Sequence, residues 1–129
     1  MAHLNEFFDK LDQQISSKTV FDVNHKHCHL WQGAKTSDGL YGRKKVKFLD
    51  GTTKLMRVSR VVYMIKMRIL DIPLKNHQNE TIEISHLCHE SLCVNEQHLV
   101  LETHEVNMNR KHCVQQHLCS KDHFPHCLI

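Results

Sequence analysis

Aromatic side chains are scarce. Phe, Tyr and Trp together make up 6% of 129 residues, and mean hydropathy is −0.45. A chain of this length makes one domain with a modest core, and so few rings predict a thin one. No stretch approaches the ~20 apolar residues of a membrane-spanning helix. The opening "MAHLNEFFDKLDQQI" has neither a basic start nor a continuous apolar run, so no secretory leader is read there. A net charge of +3 is too mild to point to nucleic acid by itself, and the placement of charge has to decide. Internal repeats and low-complexity segments are absent. What the chain has in excess is ligand chemistry: six cysteines and thirteen histidines. The expected setting is intracellular, and nuclear in a eukaryotic host. A reducing compartment favours thiolate–metal bonds over disulfides. Small, thin-cored domains often need such staples.

Apolar periodicity organises the rest. Leu4, Phe7, Phe8, Leu11 and Ile15 form a helical stripe. Residues 22–29, "DVNHKHCH", read as a loop or the approach to a strand, and "TSDGLYG" is turn chemistry. "RKKVKFLDGTTKLMRV" holds two strand-like runs around Asp50-Gly51, a favoured hairpin pair. Val58, Val61, Val62, Ile65 and Ile69 share one face of a helix expected over 58–69. A loop with Pro73 follows. Ile82 and Ile84 mark a short strand leading into His86, and "LVLE" is a second. "THEVNMNRKH" reads as a short helix capped by Thr103.

The densest stretch is "EISHLCHESLCVNEQHL", residues 83–99. Cys88, Cys93 and His98 stand with four residues between each. Zinc takes four tetrahedral ligands, mostly Cys and His, contributed in pairs from tight loops. The fourth has to come from elsewhere, and Cys28 is the one cysteine upstream. Cys113, Cys119 and Cys127, with His123 between the last two, make a second set. His117 and His126 compete with His123 for that place. Disulfides or inert buried thiols are the plainer alternatives. Structural zinc contributes on the order of 10–16 kcal/mol in small peptides, enough to replace much of a thin core. His86 is left over. On a strand it shares a face with Cys88, and a neutral imidazole with a pKa of ~6.5 is a ready general base. Arg43, Lys45 and Lys47 lie at strand spacing on one face of "YGRKKVKF". A basic two-stranded ribbon fits the major groove of DNA, and its lysines can hold phosphates. A solvated charged strand is the ordinary alternative.

"HLCHESLCVNEQHL", followed by an asparagine, resembles the His-Cys box homing endonucleases and the wider HNH-like, ββα-metal nucleases. The likeness begins with "CHLWQG" and "LYGR", takes in "VSRVVYMIKM" and runs through "ETHEVNMNR". It covers about residues 28–113 and, through the second cysteine cluster, reaches 127. The resemblance implies an α+β fold stapled by zinc, in which a hairpin, a crossed loop and a helix hold the active site. It divides the chain into an N-terminal amphipathic helix over 1–20 and a nuclease domain over 21–129. That domain would carry two zinc sites and a basic β-hairpin. His86 falls on the family's general base. Asn107 falls on the asparagine that opens the helix and binds a catalytic divalent ion of the magnesium type; Asn109 is a weaker alternative. Cys28, Cys88, Cys93 and His98 fall on the first zinc site, and Cys113, Cys119, His123 and Cys127 resemble the second. An arginine in the preceding sheet helps hold the cleaved phosphate in relatives. Arg43, Lys54 and Arg57 are all candidates for it, and Lys54 joins Arg43, Lys45 and Lys47 as a DNA contact. The chain departs from the pattern at Glu96, where proline is common, and at Ser85, where many relatives have aspartate. Homing members dimerise partly through C-terminal extensions. Two residues follow Cys127, so a homodimer gains no support.

The implied activity is hydrolysis of phosphodiester bonds in double-stranded DNA, with no membrane partner. Two readings from other classes compete: a zinc-stabilised DNA-binding module without cleavage, and a zinc-structured protein-interaction domain. Asn107 offers one neutral oxygen, and no carboxylate in the matched motif joins it. Magnesium is therefore expected to bind weakly without DNA. Glu102 and Glu105 are the first carboxylates to test if it binds tightly.

Overall fold

Phe7, Phe8, Leu11 and Ile15 recur at helical intervals, and in the computed structural model they form the buried stripe of α1 (Ala2–Ser16). The structure describes residues 2–24, 26–116, 118–119 and 123–128. After α1 come β1 (Thr19–Asp22), β2 (Cys28–Trp31), β3 (Arg43–Lys47) and β4 (Thr53–Arg57). Then follow α2 (Val58–Met67), β5 (Ile82–His86), a 3₁₀ helix (Glu96–His98), β6 (Leu99–Thr103) and α3 (His104–Gln116). The strands pair as three separate antiparallel hairpins among the described residues, β1 with β2, β3 with β4 and β5 with β6. This is the small α+β architecture that the sequence pattern predicted.

Local chemistry accounts for most of the boundaries. The turn between β3 and β4 is closed by Asp50, whose Oδ1 accepts from the Thr52 N–H at 2.9 Å and from its hydroxyl at 2.6 Å. Gly51 takes the left-handed conformation there, with φ 89°. The register sets Arg43 opposite Arg57, Lys45 opposite Leu55 and Lys47 opposite Thr53. These six share one exposed face, while Val46, opposite Lys54, points to the core. Thr103 caps α3, its hydroxyl accepting from the Val106 N–H at 3.3 Å. The helix then runs four residues beyond the expected stretch.

One expectation is corrected, and one strand was not anticipated. Helix α2 ends at Met67, because Arg68 turns left-handed with φ 54°. Ile69 thereby leaves the apolar face and is 36% exposed, and Met64 takes its place in the core. Residues 22–29 are the loop and strand entry expected of them, and they close the β1–β2 hairpin, whose turn passes through Lys26 and His27 at φ 54° and 58°. Strand β1 was illegible because Val20 and Phe21 are both exposed, so no alternation marks it.

The core lies where α1 and α2 meet the hairpins. Phe8, Leu11, Val58, Val61, Met64 and Leu99 are among its buried members, with Trp31 and Val46 reaching in from β2 and β3. Trp31 explains the pairing of "LWQG" with "LYGR". Its indole N–H donates to the Ala34 carbonyl at 2.7 Å, which fixes the ring. The backbones of Gly33 and Gly42 lie against that ring. A Cβ on Gly42 would stand 2.5 Å from Trp31 Cδ1, and one on Gly33 2.4 Å from its Cζ2. Neither position has room for a side chain. Gly42→Ala should therefore overpack the site and cost about 1–3 kcal/mol. Thermal unfolding of the zinc-loaded protein reads this, and an unchanged midpoint would contradict the close packing.

Candidate functional site

Cys28 opens β2, Cys88 lies in the turn after β5, Cys93 follows that turn, and His98 closes the 3₁₀ helix. The turn is shaped by the His89 N–H donating to the His86 carbonyl at 3.0 Å and the Cys93 N–H to the Glu90 carbonyl at 3.0 Å. Asn95 caps the 3₁₀ helix by accepting from the Gln97 N–H. All four side chains are buried, and their donor atoms lie within 4.8 Å of one another. His98 Nδ1 is 3.4 Å from Cys93 Sγ and 3.9 Å from Cys28 Sγ. A tetrahedral zinc with bonds of ~2.3 Å to sulfur and ~2.0–2.1 Å to nitrogen spaces its ligands in this way. No disulfide joins any of the six cysteines. Burial and contact with Cys93 push Cys28 up to about 12. Contact with Cys93, together with burial, raises Cys88 further, while hydrogen bonding from Cys88 holds Cys93 down at about 4. A divalent cation is what stabilises all three as thiolates.

The second cage joins Cys113 on α3 to Cys119, His123 and Cys127. His123 Nδ1 lies 3.3, 3.8 and 3.9 Å from the three sulfurs. His123 is buried and completes the set, whereas His126 is exposed. His117 lies outside the described residues. Two Cys₃His cages thus fit two structural zinc ions. Beside the second sits Arg110, the largest fully buried side chain. Its Nε and Nη2 grip Glu102 at 2.5 and 2.9 Å, and its Nη1 donates to the Pro125 carbonyl at 2.8 Å and to Cys127 Sγ at 3.4 Å. Burial alone would disfavour the charged guanidinium, but the bonds to Glu102 and Cys127 outweigh it. Glu102, one of the two carboxylates singled out from the sequence, is committed to this pair.

A groove of about 910 Å³ opens beside the β5–β6–α3 unit. His86, Asn107, Glu83, His104, Arg57 and Lys54 all line it. His86 Nε2 is buried without a hydrogen-bond partner among the described residues. Burial pushes the imidazole down to about 4, with the charges of Cys93 and Glu90 pulling weakly the other way, so the ring is neutral near pH 7. The Asn107 amide donates to Glu83 Oε1 at 2.6 Å, and His104 Nδ1 lies 3.0 Å from the same oxygen. The Arg57 guanidinium stacks over Tyr41 at 3.9 Å from the ring centroid, which limits its motion.

The structure sorts the candidates that the sequence left open. Of the three basic candidates, Arg57 and Lys54 line the groove and Arg43 does not. Lys54 projects from the face opposite Arg43, Lys45 and Lys47, with its Nζ 5.5 Å from the Phe48 ring centroid. Asn109 and Glu105 are exposed, and neither lines the groove. Glu83 and Lys111 line it and were not anticipated. In "TIEIS" Glu83 reads as the solvent half of an alternating strand, and Lys111 as one more exposed helical lysine. Among the described residues, no helix is long and apolar enough to cross a membrane.

The two cages and the β5–β6–α3 unit beside the groove define a zinc-stapled ββα domain. Residues 27–127 match the family described as the zinc-binding loop region of homing endonuclease, and the chain belongs to that family. No curated protein and no solved structure matches the chain.

The purified protein should hold two zinc ions, one per cage, and strong chelation should unfold it. Elemental analysis with circular dichroism checks both; a metal content of zero in folded protein would overturn the assignment. Arg110→Ala leaves Glu102 buried without its partner and should cost about 3–5 kcal/mol. Denaturant unfolding at saturating zinc measures that loss.

Proposed function

We propose that the chain is a metal-dependent DNA endonuclease that hydrolyses phosphodiester bonds. The observation that carries this reading is the groove, where a neutral histidine, an amide and a stacked guanidinium converge. Family membership supports DNA as the substrate. The exposed row of Arg43, Lys45 and Lys47 on β3 suits contact with DNA phosphates in a groove.

Each residue has a task that its environment suits. His86 takes a proton from water; a neutral ring is the form that can do so. Its Nε2 is buried, which leaves Nδ1 as the nitrogen for this task. Arg57, already oriented by Tyr41, neutralises charge on the phosphate as it builds. Lys54 and Lys111 add positive potential along the same groove. Asn107 would hold a divalent ion of the magnesium type, which when bound supplies charge relief at the phosphate and at the departing oxygen. The rival reading, a zinc-stabilised DNA-binding module, requires binding alone and no cleavage.

A supercoiled plasmid incubated with and without Mg²⁺ separates the two readings. His86→Ala should reduce cleavage by ~10²–10⁴-fold with DNA affinity and zinc content nearly unchanged. A variant that loses zinc along with activity would make His86 a ligand instead. Arg57→Ala should lower the cleavage rate by ~10²-fold or more at saturating DNA. Arg43→Ala should act on binding, reducing the slope of log affinity against log salt by about one unit. Exchange of those two outcomes would assign the phosphate-holding role to Arg43.

A further inference from the structure

Glu83 stands directly opposite Glu102 across the β5–β6 hairpin. Like charges so placed are unfavourable unless each is compensated. Glu102 has the buried guanidinium of Arg110. Glu83 turns to the groove instead, where its carboxylate meets an amide, Asn107, and an imidazole, His104. A half-buried carboxylate held by an amide marks a place where a cation is favoured. The hydrogen bond also decides the orientation of Asn107. The two ends of an amide are alike in shape and opposite in polarity. An ionised carboxylate only accepts, so it selects the NH₂ end and leaves Oδ1 free to turn to a cation.

Building on the nuclease reading, we propose that Glu83 is the positioning residue of the divalent-cation site. It holds Asn107 with Oδ1 presented to the cation, and it adds the negative charge that a lone amide lacks. The ion is then held by an oriented amide backed by a carboxylate. Partners that orient a ligand commonly change metal affinity by ~10–100-fold when lost.

The test measures Mn²⁺ binding by electron paramagnetic resonance to the protein–DNA complex in a His86→Ala background, where the DNA stays intact. Glu83→Gln keeps the shape but lets the side chain donate or accept, and it removes the charge. Mn²⁺ affinity should fall by ~10-fold or more, with zinc content and unfolding midpoint unchanged. His104→Gln, which removes the other partner of Oε1, should leave Mn²⁺ affinity nearly unchanged. A second background separates positioning from mere structural support. Asn107→Asp offers oxygen at both ends, so its orientation no longer matters. Glu83→Gln should then cost little, or even improve the fold by removing a neighbouring like charge. Equal loss in both backgrounds would overturn the positioning role, as would unchanged Mn²⁺ affinity beside Asn107. If Glu83→Gln fails to fold, Glu83→Asp, which keeps the charge but shortens the reach, is judged by the same comparison. Plasmid cleavage by the wild-type protein is scored separately. Intact plasmid with every metal sinks the nuclease reading, whereas cleavage with unaltered Mn²⁺ binding in Glu83→Gln sinks only this inference. Absence of Mn²⁺ binding in the parent His86→Ala complex would overturn this inference, while the plasmid assay alone judges the nuclease reading.

Discussion

Closure of the first metal cage is the constraint on which the rest depends. It draws Cys28, at the start of β2, to Cys88, Cys93 and His98 across some 60 to 70 residues of chain. Loop closure over that span costs entropy, and four coordinate bonds to one ion are strong enough to offset it. The cage also sets the path of the turn that leaves β5. Backbone bonds from Val94 to His29 and from Trp31 to Leu92 lock that turn against β2. His86 lies at the rim of this rigid turn, two residues before Cys88. Its buried Nε2 and neutral ring follow from the same packing. A zinc ion held in this cage would thus act at a distance, fixing the backbone from which the histidine projects.

The second cage and Arg110 do comparable work where α3 meets the C-terminal segment. Few aromatic side chains are available, and near this cage the largest buried group is a guanidinium. One residue there links β6 through Glu102, the C-terminal segment through Pro125, and the cage through Cys127. A charged hub is costly to bury, and it is tolerated because nearly every donor has an acceptor. The Leu128 N–H donates to the Leu87 carbonyl at 2.7 Å, bringing the C-terminal segment to the turn beside the first cage. The two staples therefore meet through adjoining segments, Leu87–Cys88 of the first and Cys127–Leu128 of the second.

The groove is electrically divided. Arg57 and Lys54 on the β3–β4 hairpin and Lys111 on α3 carry positive charge, while Glu83 sits beneath Asn107. A polyanion is attracted to the first set, and a metal cation to the second. The placement of two glutamates in register across β5–β6 makes this division physical. One is neutralised internally and the other is turned outward.

Both cages were legible in the sequence because metal ligation is written in residue type and short spacing. Cys88, Cys93 and His98 come from one tight segment, and Cys113 through Cys127 from another. Only Cys28 lies far away, and it was the one cysteine upstream. Helices α1 and α2 and the Asp50-Gly51 hairpin were likewise local, set by apolar periodicity and turn chemistry. Strand β1 was not, since both its central side chains face solvent and carry no periodic signal. The end of α2 turned on one residue, Arg68, adopting a left-handed conformation that its side chain does not announce. By itself the sequence determined which cysteines can bind zinc and where the main helices run, and it left His86 over, while the histidine of the second cage stayed open. Tertiary structure alone decided that Arg57 rather than Arg43 faces the groove, that Glu102 belongs to Arg110, and that Glu83 meets Asn107. Those outcomes depend on strand register and on how a helix crosses a hairpin. Contacts between residues 24 positions apart leave no fixed spacing in the chain to read.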